Sequence, residues 1–383
     1  MMLRAWIAGL VFALTGCNAP PAIKAPPGVE IEPLKTYSRL ESWFLLKLAG
    51  VEGVPVAHAV DAYRIVYPVE TETGEKLRAS GLLALPRGVA PKRIVSFQHG
   101  TSTDREAVPS RLDVTGAAAA ILFAGNGYML LAPDYLGLGD SKRIHGYYIA
   151  SEHAAAVTGL LAAARLLPVA PDGQVFLSGF SQGGHVTLAA MREMEAKGDR
   201  VLAAAPVAAA IDIRNVSLAA ALEGGAPSHS LYLAYLAWSH AHRYGHPLGT
   251  VLTPEYAARV ETLFGTPHDG KEIMESLPAN PREMFVPEFL KAFDEGGAHW
   301  LLTSIDENGL ANWTPKAPVR LYYGSADADV VPEEAMRGAE LYRARGADAR
   351  AIDVGVVGHD ESMLRAAPLI FDWLNRLEAD AAR

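Results

Sequence analysis

The chain has 383 residues, half of them hydrophobic and a fifth charged, enough for a large core in one elaborated domain or two and not the composition of a disordered protein. Its formal charge is −9, with no lysine or arginine cluster that could line a phosphate backbone, so nucleic acid is not an expected partner. A single cysteine rules out a disulfide within the monomer.

At the N-terminus, Arg4 precedes an apolar run from Ala5 to Leu14, too short to span a bilayer and right for a signal-peptide core. It ends in Leu14-Thr15-Gly16-Cys17, which resembles a bacterial lipobox, cut before its cysteine and lipidated there. Residues 1–16 are therefore expected to be a signal peptide and Cys17 a lipid anchor holding the protein to a membrane. Asn18, by resemblance to enterobacterial sorting, points to the outer membrane of a Gram-negative cell envelope. Pro20, Pro21, Pro26, Pro27 and Pro33 make residues 17–34 read as an extended tether.

Short β-prone runs follow at 63–69, 79–85 and 93–98, the first two joined around Thr71-Glu72-Thr73-Gly74 as a hairpin-like connection. The rhythm then changes. Strand candidates at 128–132, 174–177, 201–209, 319–323 and 351–354 are separated by helical stretches at 151–167, 185–197, 332–345 and 361–377. Strands alternating with helices predict a mostly parallel sheet covered on both faces. About a hundred residues between 210 and 319 hold helical runs (231–244, 255–264) and no convincing strand. Loops that long are rarely structureless, so residues 212–316 are expected to form a helical cap inserted into a core made of 35–211 and 317–383. Its aromatics include Trp238, the chosen candidate for a substrate-pocket wall, although packing of the cap onto the core is the competing role.

Residues 178–184, Ser-Gly-Phe-Ser-Gln-Gly-Gly, carry the chemistry. A β-prone run enters and a helical run leaves, so the glycines remove side chains that would collide at a sharp corner. Ser181 would sit at its apex with the hydroxyl exposed. A serine hydroxyl needs a base, and the base a carboxylate to orient it. The chain supplies both in the order serine, acid, histidine. Asp327 leaves the end of the strand candidate 319–323; Asp329 competes for the role but also suits a helix cap. His359 lies in a loop with Gly355 and Gly358 after the last strand, with Asp360 beside it as an expected N-cap. The backbone N–H groups of Gln182 and of Thr101, in the stretch Gln98-His99-Gly100-Thr101, are the expected oxyanion hole. His99 is expected to brace that loop.

These parts together resemble the α/β-hydrolase fold. More narrowly, "SFQHGT" (96–101), "APDYLGLGDS" (132–141) and "SGFSQGG" resemble the secretory-lipase and bacterial-esterase branch. That resemblance implies hydrolysis of a small-molecule carboxylic ester or lipid beneath a helical lid. His145-Gly146-Tyr147-Tyr148 departs from the His-Pro-Tyr-Leu-like stretch of that branch and leaves the substrate open. Asp134 and Asp140 are expected to shape a turn. His240, His242 and His246 could suggest zinc, but 240 and 242 point to different helix faces with no carboxylate or cysteine interleaved, so a polar cap surface and no metal is the reading. No phosphate loop or flavin fingerprint is evident, and no cofactor is expected. Acyl transfer or peptide hydrolysis by the same residues, or a non-catalytic surface binding protein, are the alternatives.

Overall fold

The computed structural model describes residues 19–266 and 268–381. Cys17, Asn18 and the expected signal peptide lie outside the described residues. Among the described residues nine strands form one sheet: β1 (Glu30–Tyr37), β2 (Val60–Glu70), β3 (Lys76–Pro86), β4 (Ile94–Gln98), β5 (Met129–Pro133), β6 (Val175–Phe180), β7 (Val201–Val207), β8 (Val319–Tyr323) and β9 (Ala349–Asp353), in the order β1-β2-β3-β5-β4-β6-β7-β8-β9. The first three run antiparallel to their neighbours, and the six from β5 to β9 are parallel. The chain therefore has the α/β-hydrolase fold, a mostly parallel sheet flanked by helices.

Twelve α-helices lie among the described residues. The first four are α1 (Arg39–Leu48), α2 (Val114–Ala124), α3 (Ala150–Arg165) and α4 (Gln182–Ala196). Between β7 and β8 come α5 (Ser217–Glu223), α6 (His229–Tyr244), α7 (Pro254–Gly265), α8 (Gly270–Glu275), α9 (Pro287–Asp294) and α10 (Trp300–Asn308); α11 (Glu333–Ala344) and α12 (His359–Ala381) close the chain. The central strands are apolar on both faces, as a covered parallel sheet requires. In β6, Val175 and Leu177 pack with α3, α4 and α11, whereas Phe176 between them packs with α2 and α12. That alternation with a period of two is what puts helices on both sides.

The hairpin expected at 71–74 joins β2 to β3, paired from Glu70↔Lys76 to Val60↔Pro86. One expectation is corrected. The stretch from residue 30 to 34, read as tether from its prolines, begins β1. Pro33 is tolerated because β1 is an edge strand, and the register shifts between Pro33 and Lys35. The preceding residues also hold to the core: the Tyr63 hydroxyl donates to Pro21 O at 3.0 Å, and Val29 is buried.

The segment between β7 and β8 is helical, with one isolated bridge (Leu252↔Phe285) and its own apolar cluster around Leu233, Trp238, Phe285 and Phe289. Two buried glutamates pin its ends. Glu334 on α11 accepts from the Ile211 and Asp212 amides at 2.8 Å where the chain leaves the sheet. Glu195 on α4 accepts from the Lys316 amide at 3.0 Å and the Ala317 amide at 2.9 Å where it returns. Burial pushes the Glu334 carboxyl up, opposed by the hydrogen bonds it accepts from Ser217, Asp212 and Ile211.

Candidate active site

Ser181 sits between β6 and α4 with φ 57° and ψ −121°, a backbone conformation costly for a residue with a Cβ. The surroundings over-determine it: the Ser181 amide donates to Val207 O at 2.9 Å, and Ser181 O accepts from Gly184 at 2.8 Å. The flanking glycines are sterically required. A Cβ at Gly183 would lie 2.1 Å from Gln98 O, and one at Gly179 would lie 2.3 Å from Gly183 O. The corner is that tight because α4 starts directly against the end of β4.

From that corner the Ser181 hydroxyl reaches His359 Nε2 at 2.9 Å, and His359 Nδ1 reaches Asp327 Oδ2 at 2.8 Å. With a carboxylate on Nδ1, that nitrogen carries the proton, and Nε2 is left to accept from the serine. Asp327 is fixed in turn, its Oδ1 accepting from the Asp329 amide at 2.9 Å and the Val330 amide at 3.0 Å. All three side chains are largely withdrawn from solvent. Burial alone would lower the His359 pKa, but the hydrogen bond and charge of Asp327, helped by Asp329 and Asp360, raise it above the ordinary value. The arrangement can take a proton from Ser181 and hold the resulting imidazolium.

The Asp329 carboxylate is close by yet engaged elsewhere, accepting from the Ser228 hydroxyl. Donor atoms of Asp327, Asp329 and His359 lie within 4.8 Å of one another, the spacing a cation would need. Asp327 and His359 nevertheless spend their facing atoms on each other. Two cap expectations are corrected. Pro332 rather than Asp329 precedes α11, with no side-chain bond there. The last helix starts at His359, so Asp360 falls inside its first turn, where a carboxylate suits the helix dipole.

The Thr101 and Gln182 amides donate to no protein acceptor among the described residues. Gly100 brings the first of these against the corner: a Cβ there would lie 3.3 Å from the Phe180 ring and 3.6 Å from Ser181 Cβ. His99 hydrogen-bonds Gly100 O at 2.7 Å and Asp134 O at 3.3 Å, bracing the loop. Asp134 is fully buried, accepting from Ser80 Oγ at 2.5 Å and the Ser110 amide at 2.9 Å; burial raises its pKa against those bonds. Asp140 pairs with Arg64 and Arg111, which hold its carboxyl below the usual range although burial acts the other way.

Trp238 and the three histidines all belong to the insertion between β7 and β8. Trp238 is buried inside the insertion, stacked near Tyr235 and Phe264 with ring centroids 6.1 and 5.6 Å away. The three histidines diverge. His240 is buried against Ser304 Oγ at 2.8 Å, His242 faces Glu261 at 3.0 Å, and His246 stacks on Trp300 at 4.4 Å. The polar-surface reading thus fails for His240, whose pKa burial drives down to about 3. A cleft of about 600 Å³ lies at the foot of the insertion, lined by Asp212, Arg214, Phe293, Asp306 and Asn312 and by none of the hydrogen-bonded trio. Sequence reasoning missed the buried polar layer under Gln182, formed by His145 and His153. The departure at 145–148 was the only signal of it.

No family model and no curated protein matches the chain. Solved structures do. The esterase LipA of Xanthomonas oryzae, described as degrading the rice cell wall, superposes with a TM-score of 0.81 at 26% identity, covering 94% of this chain and all of that one. A hydrolase candidate from Legionella pneumophila gives 0.82 at 26% identity over 91% of this chain and 97% of that one. Candida antarctica lipase A in its closed state gives 0.63 at 14% identity over 89% and 80%, a likeness of fold. All three support the α/β-hydrolase fold, and the first two, at 26% identity, support a hydrolase.

Proposed function

We propose that the protein is a serine carboxylic ester hydrolase working through an acyl-enzyme. Ser181 Oγ attacks the ester carbonyl as its proton passes to His359 Nε2, and the carbonyl oxygen becomes an oxyanion held by the Thr101 and Gln182 amides. Collapse breaks the ester C–O bond, and His359 returns its proton to the leaving alcohol. A water then attacks the acyl carbon, gives its proton to His359, and releases the acid and the free serine. Asp327 keeps the imidazole in the working tautomer and offsets its positive charge.

The single observation that carries this reading is the unbroken series Ser181 Oγ–His359 Nε2 at 2.9 Å and His359 Nδ1–Asp327 at 2.8 Å, ending on a strained corner. Likeness to LipA supports a carboxylic ester as the substrate class. A panel of p-nitrophenyl esters of rising acyl length, assayed in water and with added alcohols, tests it. Free acid as the main product supports hydrolysis. Ester product dominating even at low alcohol concentration would reassign the protein as an acyltransferase, and no turnover of any ester would reject the reading.

The same proposal places the protein on a membrane through lipidated Cys17. No helix among the described residues is long and apolar enough to cross one. Metabolic labelling with a palmitate analogue should mark the parent and not Cys17→Ser; label retained in the variant would end the anchor assignment.

A further inference from the structure

The stretch His145-Gly146-Tyr147-Tyr148 reaches both halves of the oxyanion hole just proposed. His145 Nδ1 lies 2.8 Å from Leu136 O, so that nitrogen carries the proton and Nε2 presents a lone pair. Gln182 Nε2 is 2.8 Å from that lone pair and 3.2 Å from His153 Nε2, so one amide group spends both hydrogens on two imidazoles. The opposite amide orientation would set Gln182 Oε1 against His145 Nε2 and require a second proton on a fully buried ring. Burial opposes that proton, taking the His145 pKa down to about 4. On the other side, the Tyr147 hydroxyl lies 3.1 Å from Thr101 Oγ1.

The stretch is itself held. Ser239 on α6 accepts from the Tyr147 amide at 2.7 Å and donates to His145 O at 2.8 Å. Its backbone presses on Gly137, where a Cβ would fall 2.3 Å from His145 Cα. The Tyr147 ring stacks on Tyr235 of the same helix at 4.6 Å.

Resting on the hydrolase reading, we infer that residues 145–148 are a brace that positions both oxyanion-hole amides, Gln182 through its side chain on His145 and Thr101 through its hydroxyl on Tyr147. These are positioning residues, each acting on an oxyanion amide through another residue, His145 through Gln182 and Tyr147 through Thr101. A donor that drifts by a fraction of an ångström loses transition-state stabilisation and leaves ground-state binding nearly intact. Through Ser239, the insertion bears directly on this brace.

The test measures kcat, KM and the inhibition constant of a trifluoromethyl ketone, whose serine adduct presents an oxyanion. Gln182→Met, of similar length without donors, should lower kcat by about 10- to 100-fold with KM within about threefold. Ketone affinity should fall in step with kcat/KM. Tyr147→Phe keeps the stack on Tyr235 and should cost less, about 3- to 10-fold, and Thr101→Val should match it. The Tyr147→Phe, Thr101→Val double variant should be no worse than either single, because both remove one hydrogen bond. Should Gln182→Met fail to fold, His153→Met removes an acceptor outside the first turn of α4 and is held to the same split. Turnover within about twofold of the parent in the folded variants, or losses in KM and thermal stability with ketone affinity unchanged, would overturn the brace. Parent protein that neither turns over esters nor binds the ketone would fail the hydrolase reading itself, an outcome distinct from an active parent with indifferent variants.

Discussion

The corner at Ser181 and the helical insertion are built on opposite principles. At the corner, backbone meets backbone. Gly179, Gly183 and Gly184 leave no room for a methyl group, and the serine is held in a conformation its own Cβ resists. The insertion, by contrast, is a side-chain structure with its own apolar cluster, joined to the sheet by Glu334 and Glu195 and to the site loops by Ser228, His229 and Ser239. A corner built this way has no room for a larger side chain at its glycines. A side-chain-built cap can change its wall without moving the nucleophile. The nucleophile thus stands on core backbone, and the insertion reaches the site only through side chains such as Ser228 and Ser239.

Substitutions can break that comparison, the largest effects on turnover being expected in the core. Asp327→Asn should lower kcat by about 10⁴, the size of the aspartate-to-asparagine loss in the trypsin-type triad. Asp329→Asn should stay within about tenfold, since its carboxylate serves Ser228 and bears on His359 only through charge. Equal losses in the two would remove Asp327 from its role. Gly183→Ala forces a methyl onto Gln98 O and should destabilise by about 1–3 kcal/mol. Its kcat should drop at least about tenfold even where the protein is folded, because Gln98 leads into the Thr101 loop. Chemical denaturation beside steady-state kinetics separates the two effects.

The pH profile sharpens the account further. A protonated His359 cannot take the serine proton, and its pKa is raised, so kcat/KM should fall as pH drops through a value above the ordinary 6.5. Asp360→Asn, which removes one of the charges raising it, should move this acidic limb to lower pH. A limb that shifts upward, or a parent limb below 6.5, would contradict the charge assignment.

The smallest effect on turnover belongs to Trp238→Ala. Its ring packs on Tyr235 and Phe264 inside the cap cluster, so its loss should cost about 3–5 kcal/mol of stability. Rates should change evenly across acyl lengths in the protein that remains folded. A selective loss of long-chain esters would instead make Trp238 a wall of the pocket.

What was legible in the sequence follows the same division. Ser181, Asp327 and His359 stood out because each sits where a strand ends, and the glycines around them are a local signature of the backbone. The hairpin at Thr71–Gly74 and the strands of the parallel sheet were readable for the same local reason. The first strand was not, since Pro33 argues against a strand until one knows it lies at an edge. His240 read as surface because its partner, Ser304, lies 64 residues on. The layer under Gln182 was equally hidden: His145 and His153 stand 37 and 29 residues before it, and only the fold brings their rings to its side chain.

The most direct measurement of the central claim is reaction with a fluorophosphonate, followed by peptide mapping of the modified residue. The account predicts stoichiometric phosphonylation at Ser181, abolished in Ser181→Ala and slowed in His359→Ala, with ester hydrolysis lost in parallel. Labelling elsewhere, no labelling of the folded protein, or Ser181→Ala retaining ester turnover within about tenfold of the parent would contradict it.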